Sequence, residues 1–528
     1  MEKYIGITIG PIYDTISLTS KPAGMWAASY LFSYISRKIC EGLIYKMGIE
    51  YKQFISPYFE LDEKEKQVKK PVLGVGVFPD RIIFRSAIPV SKYKNFFESI
   101  KKELEKKIEG CDINKRNSCE YVKNYIQIYA VEKEIEEGKN PILELSPYLD
   151  NYELQRCFVQ NEDQNPIITF FNHDKEEESA SKNIKESFLV RDCTDKNGNV
   201  NWDLLDRSNK IKNLEDIANN DLVEIETRKK LKRNKYYAIV QSDGDRMGNL
   251  LGSLKSIEQI QSFSKCMYKY AVLATEKIRK YGGIPIYIGG DDVLFIAPLI
   301  GKTEKKVSGQ VSILTLVEDI SKSFEEVFQK FMEENLKEKE ISNLKDYPTL
   351  SWGLEINYYK FPLYEAFDRV GELLFGIAKK TRNTIVIECV KHSGQNCIIE
   401  IQKQYDISNN LIYDRIKDLL ELSVKISNYT DKTSQPEIEF LQSVPQKIER
   451  FYSTFKVAKT EEDIIHIWNN IFDSDIHKEK LINNYLEKIR KLYIVIWDNC
   501  SENKIERTNQ MLCNIIRMLR LYIETRED

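Results

Sequence analysis

The residues best equipped for chemistry sit where charge is least expected. In "IPIYIGGDDVLFIAP", residues 284 to 298, Asp291 and Asp292 follow the glycine pair Gly289 and Gly290 and interrupt one of the most apolar stretches of the chain. Glycine and aspartate are what a tight hairpin turn selects, so a turn alone accounts for the composition. A second stretch alters the balance. In "YYAIVQSDGDRMGN" an apolar strand runs directly into Asp243, Gly244 and Asp245. If both segments belong to one split βαβ sheet, its first strand and its hairpin are neighbours, and Asp243 and Asp291 can meet across adjacent strands. Carboxylates gathered at a sheet centre repel one another unless a cation lies between them.

Magnesium or manganese suits such a site, because the donors are hard oxygens and no His or Cys lies nearby. Two ions about 3.5–4 Å apart would activate a ribose hydroxyl and stabilise charge on an α-phosphate and its pyrophosphate leaving group. Metal and catalytic roles therefore fall to Asp243, Asp291 and Asp292. Gly289 and Gly290 would let a nucleotide approach the turn backbone. Lys379, with Lys380 in "GELLFGIAKKTRN", either complements a helix C-terminus or reaches a triphosphate. Ser242 either touches a base or is a structural strand residue.

The elements that must position these groups are legible in the same way. Residues 223–400 read as strand, helix, hairpin, long amphipathic helix and strand, from "KYYAIVQSDGD" to "PTLSWGLEINYY". Residues 1–135 show a similar order, with "VLGVGVF" and "RIIFRS" as two strands joined through Pro79 and Asp80. The expected class is α+β, with two ferredoxin-like palm domains, a connecting helical or irregular unit at 136–222 and a helical domain at 401–528. At 528 residues the chain exceeds one ordinary core.

The formal net charge is −3, so there is no overall basic footprint for naked nucleic acid. The ten cysteines contain no CxxC pair, which fits reduced thiols and a cytoplasmic setting and gives no support for a zinc ribbon. The longest apolar region carries two aspartates at its centre, and neither a signal peptide nor a membrane span is expected.

The combination and order of motifs resembles the large, polymerase-like subunit of type III CRISPR-Cas effector complexes, in its III-B form. It rests on "ITIGPIYDTI" with "WAASYLFSYI", on "SDGDRMGNLL" and "GGDDVLF", and on "PTLSWGLEINYYKFPLYEAF", "AKKTRN" and "KHSG". The resemblance implies conversion of ATP into a cyclic oligoadenylate second messenger when an assembled complex of other subunits and guide RNA holds target RNA. It also implies that Asp243, Asp291 and Asp292 hold the metal ions, and that Lys379 contacts phosphate. The first palm, with Gly10-Pro11 where the second has Asp243 and with Pro79-Asp80 in place of the glycine–aspartate turn, would bind substrate without transforming it.

Two departures stand out. Many relatives carry an HD nuclease ahead of the first palm, whereas this chain enters the palm strand within its first residues. Its one His-Asp neighbour pair, His173 and Asp174, lies in an acidic polar stretch and reads as a loop. Before Trp26 stands Lys21-Pro22-Ala23-Gly24-Met25 instead of a charged stretch. Some family members that are similar in lacking the nuclease join ATP to S-adenosylmethionine instead of to a second ATP, which makes that product an alternative. A mainly structural scaffold and a free-standing diguanylate cyclase are the other readings.

Overall fold

The computed structural model describes residues 2–111, 118–155, 165–172, 178–219, 232–302, 310–337, 347–403, 411–429, 435–472, 480–500 and 503–523. Its first sheet is built from β1 (Glu2–Gly10), β2 (Phe54–Ser56), β3 (Arg81–Arg85) and β4 (Gln127–Ile135), in the order β2-β3-β1-β4 and antiparallel throughout. Helices α1 (Pro22–Tyr45) and α2 (Tyr93–Ile108) supply the two crossovers. Alternation along β1 divides its side chains: Ile5, Ile7 and Ile9 join the core containing α1 and α2. On the opposite face, helix α3 (Pro141–Glu153) packs so closely that a Cβ on Gly6 would lie 3.3 Å from Leu149.

The second sheet contains β5 (Tyr236–Asp245), β6 (Ile284–Gly289), β7 (Asp292–Pro298), β8 (Thr349–Tyr358), β9 (Thr384–Val390) and β10 (Asn396–Gln402). Its order is β10-β9-β8-β5-β7-β6. The four strands β8-β5-β7-β6 repeat the order of the first sheet, and β9, parallel to β8, extends it. Crossovers α4 (Ile257–Tyr281) and α5 (Ile313–Asn335) cover one face. Helix α4 begins with a capping box between Ser256 and Gln259 and ends at Gly282 in the left-handed region, φ 101°.

Both faces of this sheet are covered, which is why β5 reads as a nearly continuous apolar run. Tyr236, Ala238 and Val240 pack with α4 and α5, while Tyr237 and Ile239 join the core that includes α1. Helix α1 is thus enclosed between the palms and buried almost all round. Its Ser29 hydroxyl donates to the Ile286 carbonyl at 2.9 Å.

The α+β expectation with two palms holds. One strand does not. "VLGVGVF" is irregular, and the partner of β3 is β2, so residues 57–80 form a long excursion where a hairpin turn was expected. The excursion instead fastens the palms together: the Ile288 N–H donates to the Gly76 carbonyl at 3.1 Å. With its hydrogen bonds directed at the edge strand of the other palm, this segment had no need to pair within its own sheet.

After β10 come helices Leu411–Tyr429, Gln435–Arg450, Glu461–Ile471, Lys480–Asn499 and Lys504–Ile523. Among the described residues no helix is long and apolar enough to cross a membrane.

Candidate functional site

The register of β5 decides which carboxylates meet. Ser242 pairs with Val293, so one step further along the ladder Asp243 stands opposite Asp292. The hairpin that carries Asp292 closes with Gly289 against Asp292, leaving Gly290 and Asp291 as a two-residue loop. Gly290 has φ +80° and Asp291 does not share the positive φ, the pattern of a type II′ turn in which the first position favours glycine. Asp243 and Asp291 do meet, but not as a ladder pair: Asp292 is the cross-strand neighbour, and Asp291 reaches over the end of β5, where the charge of Asp243 acts on it. A Cβ on Gly244 would lie 2.4 Å from Asp291 Oδ2, so the glycine between Asp243 and Asp245 leaves the room in which that carboxylate sits. Gly289 has a comparable role, since a Cβ there would lie 1.9 Å from the Tyr287 hydroxyl oxygen.

The clustering shows in the acidities. Desolvation, followed by the charge of Asp243, pushes the Asp291 carboxyl up to about 6. Asp292 is raised well above the usual carboxylate range, first by desolvation, then by Asp291 and Asp243, with a smaller contribution from Asp80. Lys379 is the cation that answers them. Its Nζ lies 2.5 Å from Asp243 Oδ2 and 3.2 Å from Asp245 Oδ1, and donates to the Gly244 carbonyl at 2.7 Å.

Asp245, which sequence reasoning gave no role, anchors this corner. It is wholly buried and accepts from Thr349 Oγ1 at 2.9 Å, Ser351 Oγ at 2.8 Å and the Asn383 N–H at 2.8 Å. Its signal in the sequence was position alone: as residue i+2 from Asp243 it shares that residue's strand face.

Whether these donors fit a divalent ion can be judged from their chemistry. All are oxygens, a backbone carbonyl is among them, and an ammonium already finds this corner favourable. Among the described residues no three His, Cys, Asp or Glu side chains form a ready metal cage. Magnesium seldom needs one, being held by one or two carboxylates together with waters and substrate phosphates. The residues fit that mode.

A cavity of about 360 Å³ opens beside Asp292, between the two palms. The second palm contributes Gln241, Tyr287 and Asp292, the first contributes Asp14 and Asp80, and helix α3, packed on the first sheet, contributes Glu153. Gln241 was missed in the sequence although it lies two residues before Asp243 on the same face; its Oε1 is buried without a hydrogen-bond partner. Asp80 is pushed up to about 6 by burial and by Glu153. Glu153 is itself held by the Arg81 guanidinium at 2.6 Å and by the Thr8 hydroxyl at 2.7 Å. Tyr129 stacks on Tyr152 with ring centroids 4.7 Å apart, and Tyr13 leans on Phe367 at 5.0 Å, giving the cavity aromatic walls. No lysine or arginine is among its lining residues.

The structure thus brings Asp243, Asp291, Asp292, Gly289, Gly290 and Lys379 to one end of the second palm. Ser242 does not join them. It points to the helix-covered face with Val240, fully buried, and its hydroxyl has no hydrogen-bond partner. His173 and Asp174 lie outside the described residues.

Comparison with known proteins finds matches over both sheets. Residues 236–386 match the Cas10/Cmr2 second palm domain, and residues 4–111 match the N-terminal region of the CRISPR-associated protein Cmr2. The CRISPR system Cmr subunit Cmr2 of Pyrococcus furiosus is 29% identical over 187 residues, covering 30% of this chain and 19% of that relative. The match thus spans about a fifth of the curated relative's length.

Among solved structures, the Csm1-Csm4 subcomplex of the type III-A CRISPR-Csm interference complex aligns with TM-score 0.56 and 10% identity, over 99% of this chain and 70% of that one. The Csm1-Csm4 cassette in complex with cA4 gives TM-score 0.52 and 11% identity over the same shares. The apo state of a type III-B Cmr-beta complex gives TM-score 0.51 and 12% identity, over 98% and 81%. At these identities the structures show a shared fold. The resemblance to the Cas10/Cmr2 large subunit of type III CRISPR complexes, drawn from the motifs, stands on these matches.

Proposed function

We propose, from this resemblance to the Cas10/Cmr2 large subunits, that the chain is a metal-dependent nucleotidyltransferase that makes cyclic oligoadenylate from ATP. It would act within a type III CRISPR complex of other subunits and guide RNA, and target RNA would activate it. The observation that carries the reading is the pairing of Asp243 with Asp292 at the wall of the cavity between the palms. Carboxylates crowded until their protons are held more tightly, as at Asp291 and Asp292, are costly to the fold, and a site that concentrates them is suited to binding cations.

In the proposed reaction a ribose hydroxyl attacks the α-phosphorus of ATP; the new P–O bond replaces the bond to pyrophosphate, and the hydroxyl proton passes to solvent. Magnesium or manganese, when bound, would supply Lewis-acid activation of the hydroxyl and neutralise the leaving group. Asp243, Asp291 and Asp292 would hold the ions. Gly289 and Gly290 keep side chains away from the turn where nucleotide approaches. Lys379, at the rim of the same corner, would receive phosphate charge.

A second reading shares this chemistry and differs in the acceptor. The first-palm side of the cavity carries Asp14, Asp80 and Glu153 beside aromatic rings, and no basic residue is there to receive a second triphosphate. Carboxylates and aromatic faces suit an organic cation, which favours S-adenosylmethionine as the partner of ATP.

The test is mass spectrometry of products from the assembled complex given ATP, manganese and matching target RNA, with and without S-adenosylmethionine. Rings of AMP from ATP alone support the first reading, and an AMP adduct formed only with the sulfonium compound supports the second. Replacing Asp291 and Asp292 together by Ala is expected to abolish either product while the subunits still assemble. Failed assembly would make the pair structural and end the mechanism.

A further inference from the structure

We infer that the Lys379 ammonium occupies the cation seat of the second palm in the resting protein, so that divalent metal must expel it and the triphosphate then receives it. The inference deepens the nucleotidyl-transfer reading of this site and rests on it. The seat is defined by three oxygens from the end of one strand: Asp243 Oδ2 at 2.5 Å, the Gly244 carbonyl at 2.7 Å and Asp245 Oδ1 at 3.2 Å from Nζ. Magnesium held by that Asp243 oxygen would have to approach it more closely than the ammonium does, at about 2.0–2.1 Å. Two cations cannot share that oxygen without strong repulsion across a few ångströms of partly desolvated space.

The surroundings let the side chain move while the backbone stays. Lys379 opens the short helical segment Lys379–Thr381, and the two residues after that segment both have positive φ, Arg382 at 61° and Asn383 at 46°. The Asn383 N–H is tied to Asp245, which also accepts from Thr349 and Ser351. Asp245 therefore remains satisfied when the ammonium leaves, and the chain beneath Lys379 remains pinned. Only the flexible four-carbon stem must swing, which a lysine does readily. Lys379 is 22% exposed, at the boundary between the carboxylates and open space.

The consequence is an order of events. With the ammonium in place, Asp243 is neutralised and metal alone binds weakly. A triphosphate offers the ammonium a new anion, so nucleotide strengthens metal binding and, by linkage, metal strengthens nucleotide binding by the same factor. The device would hold the palm idle until both arrive.

The experiment uses the full chain without nucleotide and follows free manganese by electron paramagnetic resonance. K379M, which empties the seat while keeping the stem's bulk, is expected to bind manganese roughly tenfold more tightly than the wild type. K379R, which keeps the charge, should bind as weakly as the wild type. Equal or weaker binding by K379M would overturn the inference, as would undetectable binding in all three proteins.

A second measurement needs no variant. Acylation of Lys379 in the wild-type protein, read by peptide mass spectrometry, should rise severalfold on adding manganese as the ammonium leaves its ion pairs, and unchanged labelling would also overturn it. Should the assembled complex make no product while manganese and Lys379 still compete, the proposed function fails and the competition stands on its own.

Discussion

The two palms share one strand order, and they differ at the place where chemistry would occur. In the second palm the first strand ends in Asp243, and a two-residue turn brings Asp292 across from it. In the first palm the equivalent strand ends in Gly10 and Pro11, and residues 57–80 replace the turn. The sheet itself survives both solutions, because its stability rests on the ladders and on the alternating apolar residues that face the helices. What differs is whether the strand ends converge on a carboxylate pair. A palm is a frame for a site, and the site lies in the few residues at the strand ends.

The first palm still presents an acid to the cavity, Asp80, whose backbone carbonyl accepts from the Ile9 N–H at 3.0 Å. It meets the cavity from the side opposite Asp292, with Arg81 and Glu153 close behind. The two sides of the cavity are thus unequal in kind: behind Asp292 lie further carboxylates answered by Lys379, whereas Asp80 and Glu153 sit beside Arg81 among aromatic rings.

The sharpest way to break this comparison is to exchange charge for shape in each half. D243N should lower product formation by about three orders of magnitude, the scale expected when an essential charged group is lost. D80N should leave the maximal rate within about threefold while raising KM for the acceptor roughly tenfold, the split expected of a group that binds without acting on the transition state. Steady-state kinetics of the assembled complex checks both, and a collapse of the maximal rate in D80N would show that the palms share one catalytic centre.

A smaller effect is expected from G244A. The added methyl would displace Asp291 from above the strand, since a Cβ there lies 2.4 Å from its Oδ2. Activity should fall about 10–100-fold while the fold persists, because misplacing a reacting group by about 1 Å costs that much. Thermal melting beside the product assay separates the two effects, and unchanged activity would mean that the position of Asp291 is unimportant.

The smallest effect concerns stability. Asp80 and Asp291, one from each palm, have carboxyls pushed up to about 6 from 3.8. A carboxyl raised in the folded state binds its proton more tightly there than in the unfolded chain. The stabilising contribution is therefore full below pH 3.8 and lost as pH rises through 6. D80N and D291N should each melt a few degrees higher than the wild type at pH 8 without added metal, and show no such gain at pH 4. A gain for D291N alone would mean that the first palm's acid is better solvated than its position indicates. Manganese at pH 8 should raise the wild-type melting temperature and leave D291N less affected.

Much of the candidate site was legible because its parts are short-range patterns. An apolar strand entering a charged tripeptide and a glycine pair before two aspartates stand out against their surroundings. The period of two also assigns Gln241, Asp243 and Asp245 to one face, although only Asp243 was singled out. Ser242 shows the limit of adjacency: being next to Asp243 in the chain places it on the opposite face of the sheet, under the helices.

The apolar run "VLGVGVF" misled for a related reason. Its composition promises a strand, but composition does not say which edge will accept its hydrogen bonds, and that edge, at Ile288, belongs to the other palm.

The sequence by itself therefore determined the two palms, the position of the acids at strand ends and the turn that needs glycine at 290, since all of these follow from local periodicity and backbone preference. The tertiary structure alone decided that Asp292 and not Asp291 faces Asp243, that Lys379 closes on residues 243–245, and that acids of the first palm share a cavity with those of the second. Those relations depend on ladder register and on packing between segments far apart in the chain. A one-residue change of register would turn every side chain to the other face, and nothing local in the chain records which register the whole molecule will choose.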